Sequence, residues 1–136
     1  MTNRTVSQSE RRRSYRAEIA FPVTYTIEGH DAVEATAMDI SADGLRLLCK
    51  PALRTAQGID LSFALPEIPV REAIRKLGRK PSAVTFEPLR VHGRILTATY
   101  DPERRSHIHG IAFEAVPAAT AEAIHQFVHL TQIPRG

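Results

Sequence analysis

Residues 39–44 have the sequence Asp39-Ile40-Ser41-Ala42-Asp43-Gly44 and form a short polar stretch between two strand-like runs. The first run covers 33–40 and is rich in small residues, and the second covers 45–49. Aspartate and serine side chains bond to nearby backbone in turns, and glycine accepts a positive φ. The stretch therefore predicts a tight turn between two antiparallel strands, in which Gly44 permits a positive φ and a close approach to the backbone.

Alternation of apolar and polar residues extends this pattern on both sides of the turn. It covers 21–27 and 59–65, and strand-like residues return over 83–86, 89–100 and 107–115. A period of two residues is typical of strands that bury one face. Six or seven short strands joined by turns predict a small antiparallel barrel.

Two segments have helical rather than strand-like spacing. Apolar residues recur at i, i+4 and i+7 within 69–78, and Gly78 suits the end of that short helix. Residues 117–131 carry an apolar stripe at helical spacing, with Pro117 at the start and Pro134 beyond the end. We expect the second helix to pack on the barrel or to close one of its ends.

The length and composition of the chain favour a single domain and allow a hydrophobic core. It has 136 residues, of which 43% are hydrophobic, which is close to the usual share for a globular domain. The polar residues 1–10 predict a disordered leader, and the domain is expected to cover 11–131. Lysines and arginines number 18 against 15 acids, so the small excess of charge does not by itself indicate a polyanion-binding protein. The basic residues instead form two clusters, one of Arg11, Arg12, Arg13 and Arg16 and one of Arg71, Arg75, Lys76, Arg79 and Lys80.

Several classes of protein find no support in the sequence. The single cysteine, Cys49, excludes an intrachain disulfide. No leader of secretory type and no apolar run of membrane-spanning length is present, so a cytoplasmic location without membrane insertion is expected. Motifs of hydrolases, P-loop proteins and zinc proteases are missing, so no enzyme is predicted. The pairs His107/His109 and His125/His129 lack accompanying cysteines or carboxylates, and no metal site is predicted.

The arginine cluster and the polar turn together supply the chemistry for a guanine nucleotide. An arginine fork matches the N7 and O6 acceptors of guanine. A carboxylate such as that of Asp39 can accept hydrogen bonds from the opposite edge of the base, and further arginines can bind phosphate. Taken singly, an arginine-rich leader is more often a solvated arm, and a turn of this kind is more often purely structural. Ser41 could bond to a ligand or brace its own turn.

Three motifs occur in the order and spacing that is typical of one family. They are R-x-x-x-R at Arg12 and Arg16, D-x-S-x-x-G at Asp39, Ser41 and Gly44, and G-hydrophobic-x-F at residues 110–113. With these motifs the chain resembles PilZ domains, the bacterial receptors for cyclic di-GMP, over about residues 11–131. The resemblance implies an all-β fold, a six-stranded antiparallel PilZ-type β-barrel with a C-terminal helix. Relative to that plan, the chain carries an insertion at about 66–88.

The resemblance also implies a ligand and the residues that bind it. The arginines of the first motif would hold guanine and phosphate, the aspartate and serine of the second would contact a guanine, and its glycine would shape the turn. Some relatives carry a further arginine directly before the first motif, which helps to hold two stacked ligand molecules, and Arg11 occupies that position. The predicted cyclic di-GMP site comprises Arg11, Arg12, Arg16, Asp39, Ser41 and Gly44. No other cofactor is expected.

The resulting hypothesis is a non-enzymatic receptor whose arginine arm becomes ordered when cyclic di-GMP binds and which signals to a partner protein in trans. The basic insertion is either a solvated segment or the surface on which that partner docks. One alternative is a small β-barrel that binds nucleic acid, although aromatic residues make up only 6% of the chain and tryptophan is absent. The other alternative is a PilZ-like adaptor that does not bind nucleotide.

Overall fold

A computed structural model describes residues 16–132, without the side chain of Ile68. Arg11, Arg12 and the leader 1–10 therefore lie outside the described residues. The strands are β1 (Phe21–Thr26), β2 (Val33–Ser41), β3 (Gly44–Cys49), β4 (Gly58–Phe63), β5 (Leu89–Asp101) and β6 (Ser106–Glu114), and the helices are α1 (Ile68–Leu77) and α2 (Ala118–Thr131).

The six strands form a closed antiparallel barrel. Their order around the barrel is β1-β2-β3-β6-β5-β4, and pairing between β1 and β4 closes it. This confirms the predicted fold class. The strand-like stretch 83–86 does not join the sheet, because prolines at 81 and 88 flank it and Val84 is buried within a turn in which its N–H bonds to the carbonyl of Pro81.

The alternating residues of the sequence become the inward face of the barrel. Phe21, Val23 and Tyr25 of β1 are all buried, while the residues between them are more exposed. On the neighbouring strand β4 the same alternation buries Phe63, whose ring centroid lies 5.6 Å from that of Phe21. Because successive side chains of a strand point to opposite faces, one face of each strand supplies the core.

The two helices pack against each other, and α2 also packs on β2. The buried residues of α2 are Ala123, Ile124, Phe127, Val128 and Leu130. Val70 and Ala73 of α1 are also buried, and α1 ends at Gly78 with a φ of 76°. Helix α2 thus covers the side of the barrel next to the N-terminal segment, where the side-chain amide of Gln132 donates to the carbonyl of Arg16 at 3.2 Å.

A buried histidine fixes the loop between β3 and β4. Nε2 of His109 accepts a hydrogen bond from the backbone N–H of Leu53 at 2.9 Å, and its Nδ1 lies 3.5 Å from Sγ of Cys49. Burial lowers the pKa of His109 and raises the pKa of the Cys49 thiol. The buried imidazole of His109 is therefore neutral, and the buried thiol of Cys49 has a role in packing.

Candidate functional site

The turn between β2 and β3 has the geometry that its sequence predicts. Ser41 pairs with Gly44 across a two-residue turn. The buried hydroxyl of Ser41 donates to the carbonyl of Gly44 and accepts the N–H of Asp43, both at 3.3 Å. In this structure the hydroxyl of Ser41 stabilises the turn of which it is part.

Gly44 allows a close approach and does not adopt a positive φ, and the group that approaches it belongs to another strand. Its φ is not in the positive region. A Cβ at this position would instead overlap the carbonyl oxygen of Ile111 on β6. Glycine is needed because two backbones approach closely, and this approach joins the turn to β6.

Asp39 lies directly behind the turn and binds two arginines. Its side chain is fully buried. Oδ1 accepts bonds from Nη1 of Arg16 at 2.7 Å and from the backbone N–H of Arg46 at 3.1 Å, and Oδ2 accepts from Nε of Arg46 at 2.6 Å. The carboxylate therefore holds two guanidinium groups in fixed positions, with its charge compensated by theirs.

Backbone pairing brings Arg16 to this carboxylate. Ala17 forms a two-bond bridge with Ile40, at 2.8 Å and 3.0 Å. Arg16 and Asp39 are each adjacent to one partner of that bridge, so their side chains meet although they lie 23 positions apart in the chain. The second arginine of the first motif and the aspartate of the second motif are thus in direct contact.

These residues border a surface depression of about 370 Å³. Its lining consists of Arg16, Ser41, Asp43, Gly44, Leu45, Arg46, Leu96, Gly110, Ile111, Ala112 and Phe113. Asp39 is not part of this lining, because its carboxylate is covered. The depression thus places the arginines and the turn on the same surface as the G-hydrophobic-x-F segment of β6.

The arginines retain unused donors at the depression. Arg46 bonds to Asp39 through Nε, and within residues 16–132 its two terminal nitrogens donate to no protein acceptor. The side chain of Arg16 is 23% exposed and that of Arg46 is 43% exposed. Both guanidinium groups can therefore offer N–H donors to an anionic or guanine-like ligand while Asp39 fixes their orientation.

Three lining residues outside the three motifs were missed by sequence reasoning, namely Leu45, Arg46 and Leu96. Arg46 could have been found by counting outward from the turn, since pairing of Ser41 with Gly44 places Asp39 opposite Arg46. Leu96 is 59% exposed and lies at an irregularity of β5 between Ile95 and Thr97, and no sequence signal marked it. Of the predicted site residues, the structure brings together Arg16, Asp39, Ser41 and Gly44, while Arg11 and Arg12 lie outside the described residues.

Other features of the described part do not compete with this site. A depression of about 640 Å³ on β1, β4 and β5 contains none of the motif residues, and its Asp60 bonds to His92 at 2.8 Å. Among residues 16–132 there is no group of three or more side chains that could hold a metal ion. Neither described helix is long and apolar enough to span a membrane.

Comparisons with known proteins give one matching family and several structures of similar fold. The family model of the PilZ domain matches residues 10–130. No curated protein sequence matches the chain. Among solved structures, the Bacillus subtilis inhibitor of motility has a TM-score of 0.64 at 14% identity; the match covers 84% of this chain and 47% of that one, so this chain spans about half its length.

Two further structures match over most of their own length. The PilZ domain of CeSA from a cellulose-synthesizing bacterium has a TM-score of 0.53 at 13% identity, covering 84% of this chain and 94% of that one. The PilZ domain of YcgR from Escherichia coli, solved with c-di-GMP, has a TM-score of 0.54 at 10% identity, covering 84% and 86%. At these identities the structures show a shared fold.

Proposed function

This chain belongs to the PilZ domain family, and on that premise we propose that it is a receptor that binds cyclic di-GMP at the depression beside the β2–β3 turn. The observation that carries the proposal is the contact between Arg16 and Asp39, which joins the two motifs at one surface. The similar fold of a PilZ domain solved with c-di-GMP supports it.

In this proposal Arg16 and Arg46 supply the donors. Two parallel N–H groups of a guanidinium match the N7 and O6 acceptors of guanine, and the same groups form charge-assisted bonds with phosphate. Because Asp39 already fixes both side chains, little conformational freedom is lost when the ligand binds. Leu96 also lines the depression and offers an apolar contact.

Asp39 has a positioning role in the structure as described. Oδ1 accepts two bonds and Oδ2 accepts one, and the side chain is fully buried, so direct acceptance of a guanine N–H at the remaining position of Oδ2 requires that the carboxylate becomes accessible. The direct contact of Asp39 with guanine, and that of Ser41, therefore stay predictions.

Arg11 and Arg12 complete the proposed site. We propose that the arm that carries them closes over the ligand and becomes ordered as it does so, because it consists of polar and basic residues with little apolar surface of its own. A second stacked ligand at Arg11 predicts a calorimetric stoichiometry near two. Hydrogen exchange of residues 8–18 with and without ligand tests the ordering, and equal exchange in both states would contradict it.

Transfer of the signal to a partner protein is a separate part of the proposal. The exposed face of α1 and the residues that follow it carry the second basic cluster, in which Arg71 bonds to Glu67 and Arg75 bonds to Glu72. We expect charge reversal at Arg75 and Lys76 to abolish capture of a partner and to leave ligand affinity unchanged. Loss of ligand affinity would instead assign this segment to the ligand site.

Calorimetry with cyclic di-GMP tests the receptor function directly. We expect wild type to bind and Arg16→Ala to lose measurable binding, whereas Arg90→Ala, which removes an exposed arginine in the larger depression, should bind like wild type. Equal loss in both variants would indicate a nonspecific charge effect. If a folded wild type binds single-stranded nucleic acid with a steep salt dependence and shows no preference for the cyclic dinucleotide, the nucleic-acid alternative is favoured.

A further inference from the structure

The second half of β5 is a strand edge without a partner in the described part of the chain. Strand β4 pairs with β5 only as far as Arg94. Ile95 still exchanges two backbone bonds with residues 56 and 57, at 2.7 Å and 2.9 Å. From Thr97 to Asp101, β5 pairs with β6 on one side, and no other strand of residues 16–132 pairs with its other side.

This edge is exposed, and over 97–100 it has none of the charged residues or prolines that usually protect an edge strand; Asp101 and Pro102 lie only at its end, and the irregularity of β5 lies before it. All residues over 96–100 are exposed, and Tyr100 is 54% exposed. The sequence Leu-Thr-Ala-Thr-Tyr consists largely of good strand formers and contains no lysine and no proline. Natural proteins commonly block such edges with charge or proline, so an unblocked one is suited to the addition of another strand.

We propose that the edge over 97–101, which we call the β5 edge, pairs with the β5 edge of a second copy of this chain. The register that fits is antiparallel, with a two-fold axis at Thr99. It places Thr99 opposite Thr99 of the second copy, Ala98 opposite Tyr100 and Thr97 opposite Asp101. This proposal does not depend on cyclic di-GMP binding.

Self-complementarity favours a second copy over a foreign peptide as the occupant. Two threonines meet at the axis, which is a favourable cross-strand pair. On each side of the axis the ring of Tyr100 lies opposite the small Ala98, so the two large rings do not collide. The ring of Tyr100 is already held on one face by His107, with centroids 5.1 Å apart. The carboxylate of Asp101 bonds to Arg104 at 2.6 Å, so it brings no uncompensated charge. A two-fold interface of this kind closes on itself.

The pairing is also compatible with the ligand site. The residues of the β5 edge are not among those that line the depression, and of the lining residues only Leu96 is next to the edge in sequence. Five residues from each chain form a small interface, and we therefore expect a dimer that dissociates on dilution.

Cysteine crosslinking tests the register. In Thr99→Cys the two introduced cysteines would face each other with their Cα atoms about 5 Å apart, within reach of a disulfide. In the matched control Thr97→Cys they would be separated by four residue steps, about 13 Å. The native Cys49 is buried, so it contributes little background. Mild oxidation should convert most of Thr99→Cys and little of Thr97→Cys into a covalent dimer.

Sedimentation equilibrium of the full chain provides the second measurement. Wild type should approach twice the chain mass of 15.1 kDa as concentration rises, and Ala98→Lys should stay at the single-chain mass with unchanged circular dichroism. Two outcomes overturn the proposal: equal crosslinking of the two cysteine variants, or a wild type that stays at the single-chain mass at about 0.5 mM, which is well above the concentration range of a weak specific dimer.

Discussion

Asp39 and Arg46 lie opposite each other across the β2–β3 ladder, with Oδ2 of the aspartate 2.6 Å from Nε of the arginine. The same carboxylate binds Arg16 through Oδ1. One buried acid thus orients two arginines that come from different parts of the chain. The ladder register, which the turn sets, decides which side chain becomes the second arginine of the site.

Replacement of Arg46 should weaken ligand binding without unfolding the protein. Hydrogen bonds to charged groups contribute about 1.5–3 kcal/mol, so Arg46→Ala is expected to lower affinity for cyclic di-GMP by roughly 10- to 150-fold in calorimetry. Arg46→Lys should recover little, because an ammonium cannot form the paired bonds of a guanidinium. An affinity equal to that of Arg90→Ala would show that Arg46 has no part in binding.

Asp39→Asn should reduce both stability and affinity. The change keeps the volume but removes the charge that two arginines share, and the loss is smaller than for a wholly buried pair because both guanidiniums are partly exposed. We expect the free energy of unfolding to fall by about 1–3 kcal/mol in urea denaturation. Asp60→Asn, at an exposed aspartate bonded to His92, is the control and should change stability little. A stable Asp39→Asn variant with full affinity would contradict the positioning role.

Gly44→Ala should destabilise the barrel more than Gly29→Ala. At Gly29 a Cβ meets open space, and the cost comes only from its φ of 84°, about 1 kcal/mol. At Gly44 the Cβ overlaps a backbone carbonyl that cannot move without shifting β6, and we expect at least about 2 kcal/mol. Thermal melting of both variants measures the difference. If Gly29→Ala is the less stable variant, the close approach of the two backbones does not explain the need for glycine at position 44.

The stability of the fold should decrease in mild acid because of His109. Its pKa lies below the ordinary value of 6.5, mainly because of burial, so the unfolded chain takes up the proton first as the pH falls. The contribution of His109 to the free energy of unfolding is therefore fully present above about pH 6.5. It decreases as the pH falls from there towards the lower pKa of the folded state. Urea denaturation between about pH 7.5 and pH 5.5 should show this decrease in wild type and a smaller one in His109→Gln. The exposed His125→Gln should behave like wild type.

The sequence predicts the barrel well because each strand has a strong local signal. Alternation in β1 and β4 depends only on which face is buried, and the D-x-S-x-x-G turn specifies its own hydrogen bonds. Residues 83–86 carry strand-like side chains, but their neighbouring prolines and the burial of Val84 in a turn depend on the surrounding structure. No pattern along the chain reveals these long-range effects.

The candidate site is only partly predictable, again because some of its features depend on contacts between distant parts of the chain. Arg16 and Asp39 belong to motifs, and their contact agrees with the expected convergence of those motifs. Leu96 reaches the depression through an irregularity in β5 between Ile95 and Thr97, and the need for glycine at position 44 comes from a carbonyl on another strand. Both features depend on how separate strands are placed in space.

The bond from Gln132 to the carbonyl of Arg16 joins positions that are 116 residues apart in the chain. The first and last described residues therefore leave the barrel side by side, next to the proposed ligand site. Fluorescent proteins joined to the chain on either side of the described residues would be tethered to neighbouring points, and their energy transfer would respond to any ligand-driven rearrangement there. This geometry suits the domain to use as a genetically encoded sensor.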